Sequence, residues 1–482
     1  MNSISTIIPI IALFAFIGAY LLLGYIASRR IKSTTDFFLA GKQLGLFPLT
    51  FSLLASQIGS GMLLGTFDEA YTHGLFSLAY PFGLASGFLI LGLGVASRLR
   101  TLDVSTTAEI FEKYYKSIRL KQVASLLSIA TMCGLLIGQI AALRTVIDTI
   151  SGKSPFVFGA FWFLVISHTM TGGLTALAVT ETVRTLFIMT IFGGVFGYIF
   201  SHSSLPFFNL KSLMSLQETY FSHPYPLDNT SNINNTGSWE TFWPFLPILI
   251  MPALFSCIEQ DLAQRFFAAR SKQIAQWAAL CACVLLLGFA CIPAYFGLQA
   301  HILGFTTNTN TNITMGTYPL FYFIEAVTNK WVLFLVNFGL IAAITSTSDS
   351  LLCAISSNVS LDFSLTWTRI KNPLMQSRIA TLIIGVTVFI ASHLVPSRII
   401  TILVESYALS VCCLLVPLAA VYIGRPAGKR AAACAIFTGL IAFILCNKLL
   451  ASPTRELLPL VLSFIGYLVG MLLEKIKPEK AT

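Results

Sequence analysis

Charge is what this sequence has least of. Acidic and basic residues make up 10% of its 482 positions, against about 25% in a soluble domain. With 56% hydrophobic residues and a mean hydropathy of +0.80, the chain has too little polar material to cover a water-exposed surface, which excludes the soluble globular class. Paired cysteines are missing as well. Ten cysteines occur, none in a C-x-x-C pair, and all lie in or beside apolar stretches, where they read as small hydrophobes with a weak donor. The six histidines show no metal-ligand spacing. There is no G-x-S-x-G, no Walker A lysine motif and no H-E-x-x-H, so neither an enzyme nor an ATP-driven pump is expected, and no covalent cofactor. The opening MNSISTIIPIIALF has no basic n-region; Arg29 and Arg30 follow the first apolar run instead, which fits a retained helix rather than a removed signal peptide.

A net charge of +10 would suit nucleic acid if the basic residues were clustered. They sit instead in short segments between apolar runs, with no basic stripe and no recognised motif, so no nucleic-acid partner is expected. The apolar runs themselves suit a lipid bilayer, whose core takes roughly 20 apolar residues per helix. Thirteen spans are expected, near 6–28, 44–67, 74–97, 122–150, 155–179, 182–201, 240–260, 273–299, 331–358, 377–396, 399–423, 431–451 and 456–474. Two polar, Asn-rich connections separate them, at 202–239 and around 301–317. With this register 23 of the 30 Lys and Arg residues fall on one side and 7 on the other. Basic residues favour the cytoplasmic side, so the N-terminus is expected outside, the C-terminus in the cytoplasm, and the protein in the plasma membrane (the inner membrane of a bacterium) as a multi-pass protein. Both Asn-rich loops then lie outside. Asn229, Asn234 and Asn312 match the N-glycosylation pattern, as the polar composition of such loops also produces. The oligomeric state is not legible.

Two interruptions carry the chemistry. The second span contains Ala55-Ser56-Gln57-Ile58-Gly59-Ser60-Gly61. Glycines permit unwinding, and irregular backbone at membrane depth is tolerated where it lines a cavity; the carbonyls of Ala55 and Ile58 would then face a cation. A small-residue packing face is the other reading. The ninth span contains Ala343-Ile344-Thr345-Ser346-Thr347-Ser348-Asp349-Ser350, in which positions 343, 346, 347 and 350 share one helix face. Their hydroxyls either serve a hard cation such as sodium or bond back to their own helix.

Carboxylates inside a membrane are costly and mark function by default. Asp349 follows the hydroxyl run, where it contacts either an ion or another helix. Glu405 sits in the eleventh span with no partner nearby in sequence. Glu181, Glu259 and Asp261 stand beside Arg184 and Arg265, and an interfacial salt bridge is the favoured reading for all three. Gln139, in the fourth span, faces either a substrate or another helix.

Five segments, in order, resemble the sodium:solute symporter family, which contains sodium/proline, sodium/pantothenate and sodium/sugar cotransporters. They are TDFFLAGKQLGLFPLTFSLLASQIGSG, TTAEIFEKYY, GGLTALAVTETVR, QRFFAARS and AAITSTSDSLLCAISSNVSLD. The resemblance implies an all-α integral membrane protein with the leucine-transporter arrangement of two inverted five-helix repeats. These would be residues 44–201 (spans 2–6) and 240–423 (spans 7–11), with an extra helix at 1–28 and two helices and a tail at 431–482. It also implies a sodium site made of the carbonyls of Ala55, Ile58 and Ala343 and the hydroxyls of Ser346 and Thr347. The solute site is expected at broken segments of spans 2 and 7, with spans 4 and 11: Gln57, Ser60, Gly61 and Gln139 are candidates by position, and Ser256 falls where relatives place a substrate-side residue on the seventh helix. Glu181, Asp349 and Glu405 are the candidates for coupling or gating. The sequence departs from proline-transporting relatives, which have aspartate where Gln57 stands. The family's Trp-Thr-Asp…Gln signature is Val179-Thr180-Glu181…Arg184 here.

The expected function is sodium-coupled import of a small organic solute, an amino acid, vitamin carboxylate or sugar, with sodium co-transported. With few charges facing the presumed cavity, a zwitterionic or neutral solute is expected over a polyanion. Alternatives are a membrane solute sensor on the same fold, or a proton-coupled transporter using Asp349 or Glu405. A channel would need a continuous polar stripe along a pore, and the polar residues form isolated clusters instead.

Overall fold

In hydrocarbon every backbone N–H and C=O must be satisfied within the protein, which leaves the helix as the natural form for each apolar run. The computed structural model describes residues 3–29, 31, 33–202, 243–303, 319–363, 372–394, 399–451 and 454–476. Asn229, Asn234 and Asn312 lie outside the described residues. Within them the chain is helical almost throughout, and the one β feature is an isolated bridge between Leu44 and Ala269.

The helices are α1 (Ser3–Ser28), α2 (Thr34–Leu39), α3 (Leu46–Gln57), α4 (Thr66–His73), α5 (Ala79–Ile90), α6 (Ala96–Thr101), α7 (Glu109–Tyr115), α8 (Ile118–Ser151) and α9 (Pro155–His202). They continue with α10 (Leu246–Ser256), α11 (Gln260–Ala268), α12 (Lys272–Ile302), α13 (Pro319–Val327), α14 (Lys330–Asp362), α15 (Pro373–Ala391), α16 (Ile399–Ile423), α17 (Lys429–Leu449) and α18 (Thr454–Ile476). Side chains at the helix starts take up free N–H groups: Ser117 caps α8, Ser271 caps α12 and Asn329 caps α14.

Eleven stretches among the described residues are long and apolar enough to cross a membrane; one of them holds two crossings, and another holds one crossing together with the end of the crossing begun by α3. The stretch Pro155–His202 has 48 residues, about 72 Å if straight, more than twice a bilayer core. It turns back at Gly173, whose φ of 50° and ψ of −167° lie in a region that favours glycine. His168 and Arg184 both reach the Asp349 carboxylate, at 3.3 and 2.9 Å, whereas a straight helix would hold their backbones about 24 Å apart. The stretch Gly61–Thr101 likewise reverses at Gly74 (φ 65°, ψ −131°). Among the described residues the crossings therefore number thirteen. The turn between the fifth and sixth comes at Gly173, earlier than the expected 179–182. Glu181, expected at the cytoplasmic start of a span, accordingly lies two turns inside the second arm of α9 and is fully buried.

α14 forms the centre, packed against α3, α8 and α9, with α1 outside α9. From Val336 to Asn358 it is buried without a break. α17 and α18 pair with each other and lean on α16. Their outer faces carry exposed Phe437, Ile441, Leu445, Phe464, Leu468 and Leu472, spaced as a helical stripe that suits lipid contact. Outside the spans, Lys42 pairs with Asp103 at 2.5 Å, and its ammonium holds the Asp103 carboxyl below the usual range.

Candidate functional site

α3 ends at Gln57, and Ile58 (φ −82°, ψ 72°) leaves helical geometry. The chain resumes as a π-helical turn over Gly61–Gly65 and runs on into α4. The freed groups find partners across the fold. The Ser60 N–H donates to Gln139 Oε1 at 2.9 Å. The Ala55 carbonyl accepts from Thr347 Oγ1 at 3.2 Å, a hydroxyl that also lies 3.3 Å from the Ala343 carbonyl of its own helix. Gly59 makes the approach possible: a Cβ there would stand 2.7 Å from Thr347 Oγ1 and 3.0 Å from Gln139 Oε1.

The hydroxyl run of α14 divides into three uses. Thr345 and Ser348 bond back to the carbonyls of Ile341 and Ile344, at 2.7 and 2.8 Å. Ser350 donates to Glu181 at 2.5 Å. Ser346 does neither: its hydroxyl is fully buried and has no hydrogen-bond partner. A buried polar group of that kind requires an explanation. Here it adjoins Thr347 and shares a helix face with Ala343, and the Thr347 hydroxyl reaches the Ala55 carbonyl beside the break. Sodium accepts oxygen ligands from backbone and hydroxyl groups, and this is the donor set present.

Beside the break lies a cavity of about 20 Å³, room for about one water molecule. Gln57, Gly59, Gly61, Gln139, Thr347, Tyr80, Glu259, Leu403 and Tyr407 are among the residues that line it. The Tyr80 and Tyr407 hydroxyls meet at 3.0 Å. Ser60 Oγ is buried nearby without a partner. Ser256 stands away from this wall. Its hydroxyl donates to the Pro252 carbonyl at 2.8 Å, and it packs against Gly87, where a Cβ would meet Ser256 Oγ at 2.6 Å.

A second break faces the first. α10 ends at Ser256, and α11 starts after Glu259, which is extended (φ −60°, ψ 125°). Gln57 Nε2 donates to Glu259 Oε2 at 3.1 Å. Glu259 makes no ion pair among the described residues, so the salt bridge expected for it from its nearness to Arg265 in sequence is corrected: the break turns its carboxylate into the cavity while Arg265 points to other partners. Glu259, Tyr80 and Tyr407 are cavity residues that sequence reasoning missed. The second break contains no glycine, so nothing in its composition marked its position.

Arg265, itself buried, binds Glu181 at 2.7 Å and Asp261 at 2.5 Å, and donates to Ser52 at 2.8 Å and Ser350 at 2.6 Å. It thus ties α3, α9, α11 and α14 together. The salt bridges expected of Glu181 and Asp261 form, but in the protein interior rather than at the membrane interface, because Glu181 lies well past the Gly173 turn. Arg184 serves the other acid. It pairs with Asp349 at 2.9 Å and donates to Thr345 at 3.1 Å, with its guanidinium carbon 3.9 Å from the centre of the Tyr20 ring. Asp349 also accepts from Thr169 at 2.6 Å and from the Tyr20 hydroxyl. His168, given no role in the sequence reading, lies 2.8 Å from that same hydroxyl. Glu405 faces the periphery: its side chain is 41% exposed and 3.3 Å from Arg455, a partner fifty residues away that sequence proximity could not reveal.

A family model described as the sodium:solute symporter family matches residues 37–439. High-affinity choline transporter 1 of Drosophila melanogaster is 22% identical over 424 residues, covering 82% of this chain; the chain spans 63% of that relative's length. Among solved structures, a Na⁺-coupled sialic acid symporter in a substrate-bound outward-open state aligns with a TM-score of 0.76 at 18% identity, covering 98% of both chains. Mhp1, a nucleobase-cation-symport-1 family transporter in a closed conformation with bromovinylhydantoin bound, aligns at 0.59 and 12% identity, covering 93% of this chain and 97% of its own. Both have the leucine-transporter fold, and at these identities the likeness shows the fold.

Proposed function

The chain belongs to the sodium:solute symporter family, and on that premise we propose that it is a sodium-coupled secondary active symporter, importing a small organic solute by alternating access. The observation that carries this reading is Ser346 Oγ, fully buried and without a partner, on the face of α14 that meets the broken second span. The carbonyls of Ala55, Ile58 and Ala343 with the hydroxyls of Ser346 and Thr347 offer neutral oxygens only. That suits a monovalent hard cation, since calcium and magnesium sites draw on carboxylates. Sodium bound there holds α3 against α14 and completes the adjoining solute cavity, where Gln57, Ser60, Gly61 and Gln139 supply polar contacts and Ser256 stands behind. A ligand shifts a conformational equilibrium only by its differential affinity for the two states, so coupling requires both ligands to favour the same closed form. The 20 Å³ left in the cavity fits a closed form without space for solute.

Glu181 and Asp349 act in coupling through the helices they tie together, Glu181 through Arg265 and Asp349 through Arg184. Asp349 held by a guanidinium and three further groups is a poor proton carrier, and Glu405 lies too far out to reach the cavity; both points favour sodium over protons. The basic-residue asymmetry supports an outside N-terminus, a cytoplasmic C-terminus and residence in the plasma membrane.

The test is uptake into proteoliposomes of pooled labelled amino acids, vitamins, amines and sugars, with and without an inward sodium gradient. Accumulation above equilibrium with sodium alone is expected. Binding of a solute that never accumulates, at any gradient, would make the protein a sensor instead.

A further inference from the structure

Six carboxylate side chains are buried among the described residues: Glu181, Glu259, Asp261, Asp349, Asp362 and Glu456. Five have a basic partner within 4 Å. Glu181 and Asp261 share Arg265, Asp349 has Arg184, Asp362 has Lys121 at 3.8 Å, and Glu456 has Arg455 at 2.7 Å. Glu259 alone has none, and its one hydrogen bond comes from the Gln57 amide. A buried carboxylate without a counter-charge is costly in a low-dielectric interior and persists where something else supplies the charge. Glu259 is also the one of the six that lines the cavity.

The rest of the wall has matching character. None of its residues is Lys, Arg or His. Tyr80 and Tyr407 line the same space, and Phe255 packs on Tyr407 with ring centres 4.7 Å apart. Aromatic faces attract cations through their quadrupole, ammonium groups above all. Around the two facing breaks, Glu181 and Asp261 are held by Arg265, which leaves Glu259 as the acid that meets the cavity without a basic partner. A carboxylate or phosphate on the solute would meet the Glu259 charge with nothing to offset it.

We infer that the transported solute carries a positively charged nitrogen and no negative group, and that Glu259 is its counter-charge. This replaces the zwitterionic or neutral solute that sequence composition suggested, and it rests on the reading of this cavity as the solute site. On binding, the nitrogen takes the place opposite Glu259 beside Tyr80 and Tyr407, and the Gln57 amide remains to position the carboxylate.

The test is thermal stabilisation of the full purified chain in detergent. Sodium is first titrated alone; then, at saturating sodium, choline, ethanolamine and putrescine are compared with two controls. One is 3,3-dimethylbutan-1-ol, the uncharged isostere of choline. The other is glycine betaine, which adds a carboxylate to the same head group. At least one of the three cations should stabilise in a saturable way, and neither control should. Glu259→Gln should raise that cation's half-saturating concentration at least tenfold while the variant is still stabilised by sodium alone, which shows that it is folded. Glu259→Asp should keep the cation preference at weaker affinity. A chain that responds to sodium but to none of the cations, or to a control as strongly as to its cation, overturns the inference, as does an unchanged cation affinity in Glu259→Gln. A chain that does not respond to sodium counts against the symporter reading itself.

Discussion

Gln57 and Glu259 belong to different broken helices, 202 positions apart in sequence, and their side chains meet at 3.1 Å at the wall of the cavity. Each stands at the end of a helical segment where the backbone leaves its ladder, so the two interruptions are joined by one amide-to-carboxylate hydrogen bond. Replacing Gln57 with Leu keeps its bulk and removes the donor. A lost hydrogen bond to a buried charge costs about 1.5–3 kcal/mol, so solute KM should rise roughly tenfold or more with little change in the sodium concentration for half-maximal uptake. The measurement is initial uptake rate against solute at fixed sodium; an equal shift in both parameters would mean that Gln57 acts on the ion site.

The hydroxyls of α14 offer an internally controlled comparison. Ser346→Ala and Thr347→Ala each remove an oxygen from the proposed ion site and should raise half-saturating sodium about tenfold or more. Thr345→Ala and Ser348→Ala remove hydroxyls bonded to their own helix and should leave it within twofold. Four sodium titrations of uptake decide the matter, and equal effects at all four positions would remove the distinction on which the site rests.

Gly59 is the point of closest approach. A methyl group there would stand 2.7 Å from Thr347 Oγ1, closer than packed atoms tolerate, so Gly59→Ala should abolish sodium-driven uptake while the protein still reaches the membrane. Adding Thr347→Ala removes the atom nearest the new methyl. The double variant should regain part of the lost thermal stability without regaining sodium affinity.

The sequence and the structure agree where a local signal existed. Two glycines inside an apolar run announced the first break, and the spacing of Ala343, Ser346 and Thr347 placed them on one face. The spans followed from hydropathy, because only helices satisfy their own backbone in lipid. What was not legible depends on distant partners. A break in the seventh span was expected, but with no glycine at Cys257–Glu259 nothing local fixed its position, so Glu259 was assigned to the nearest arginine in sequence. The Gly173 turn follows Ser167-His168-Thr169-Met170-Thr171-Gly172, a short polar run that a span-length hydropathy window averages into the fifth span, and hydropathy does not record a single positive φ. His168 and Tyr20 gain their places only because that turn brings the first arm of α9 back beside Asp349. Glu405 looked unpartnered because Arg455 belongs to another helix.

Glu405→Gln should be nearly silent. The pair with Arg455 is partly exposed at both ends, and such pairs contribute about 0–1 kcal/mol. Arg455 also keeps Glu456 at 2.7 Å. Uptake rate, sodium dependence and thermal midpoint should all stay near wild type, and a loss of transport would return Glu405 to a part in coupling.

Arg184 and Asp349 should show the opposite behaviour. Both are buried, and removing one partner leaves an uncompensated charge in the interior, at a cost of about 3–5 kcal/mol. Arg184→Met and Asp349→Leu should each lower the unfolding midpoint strongly. Removing both charges together costs far less than the two single changes added, since burying an ion pair is itself expensive and apolar replacements of similar size are often neutral. Arg184→Met/Asp349→Leu should therefore be more stable than either single variant. Its transport separates two roles. If the pair only holds α9 against α14, sodium-driven uptake returns along with stability. If it also times the movement of α9 and α1 during the cycle, the double variant will bind sodium with normal affinity, be well folded, and still turn over slowly. Unfolding midpoints and uptake rates of the three variants, measured side by side, distinguish the two.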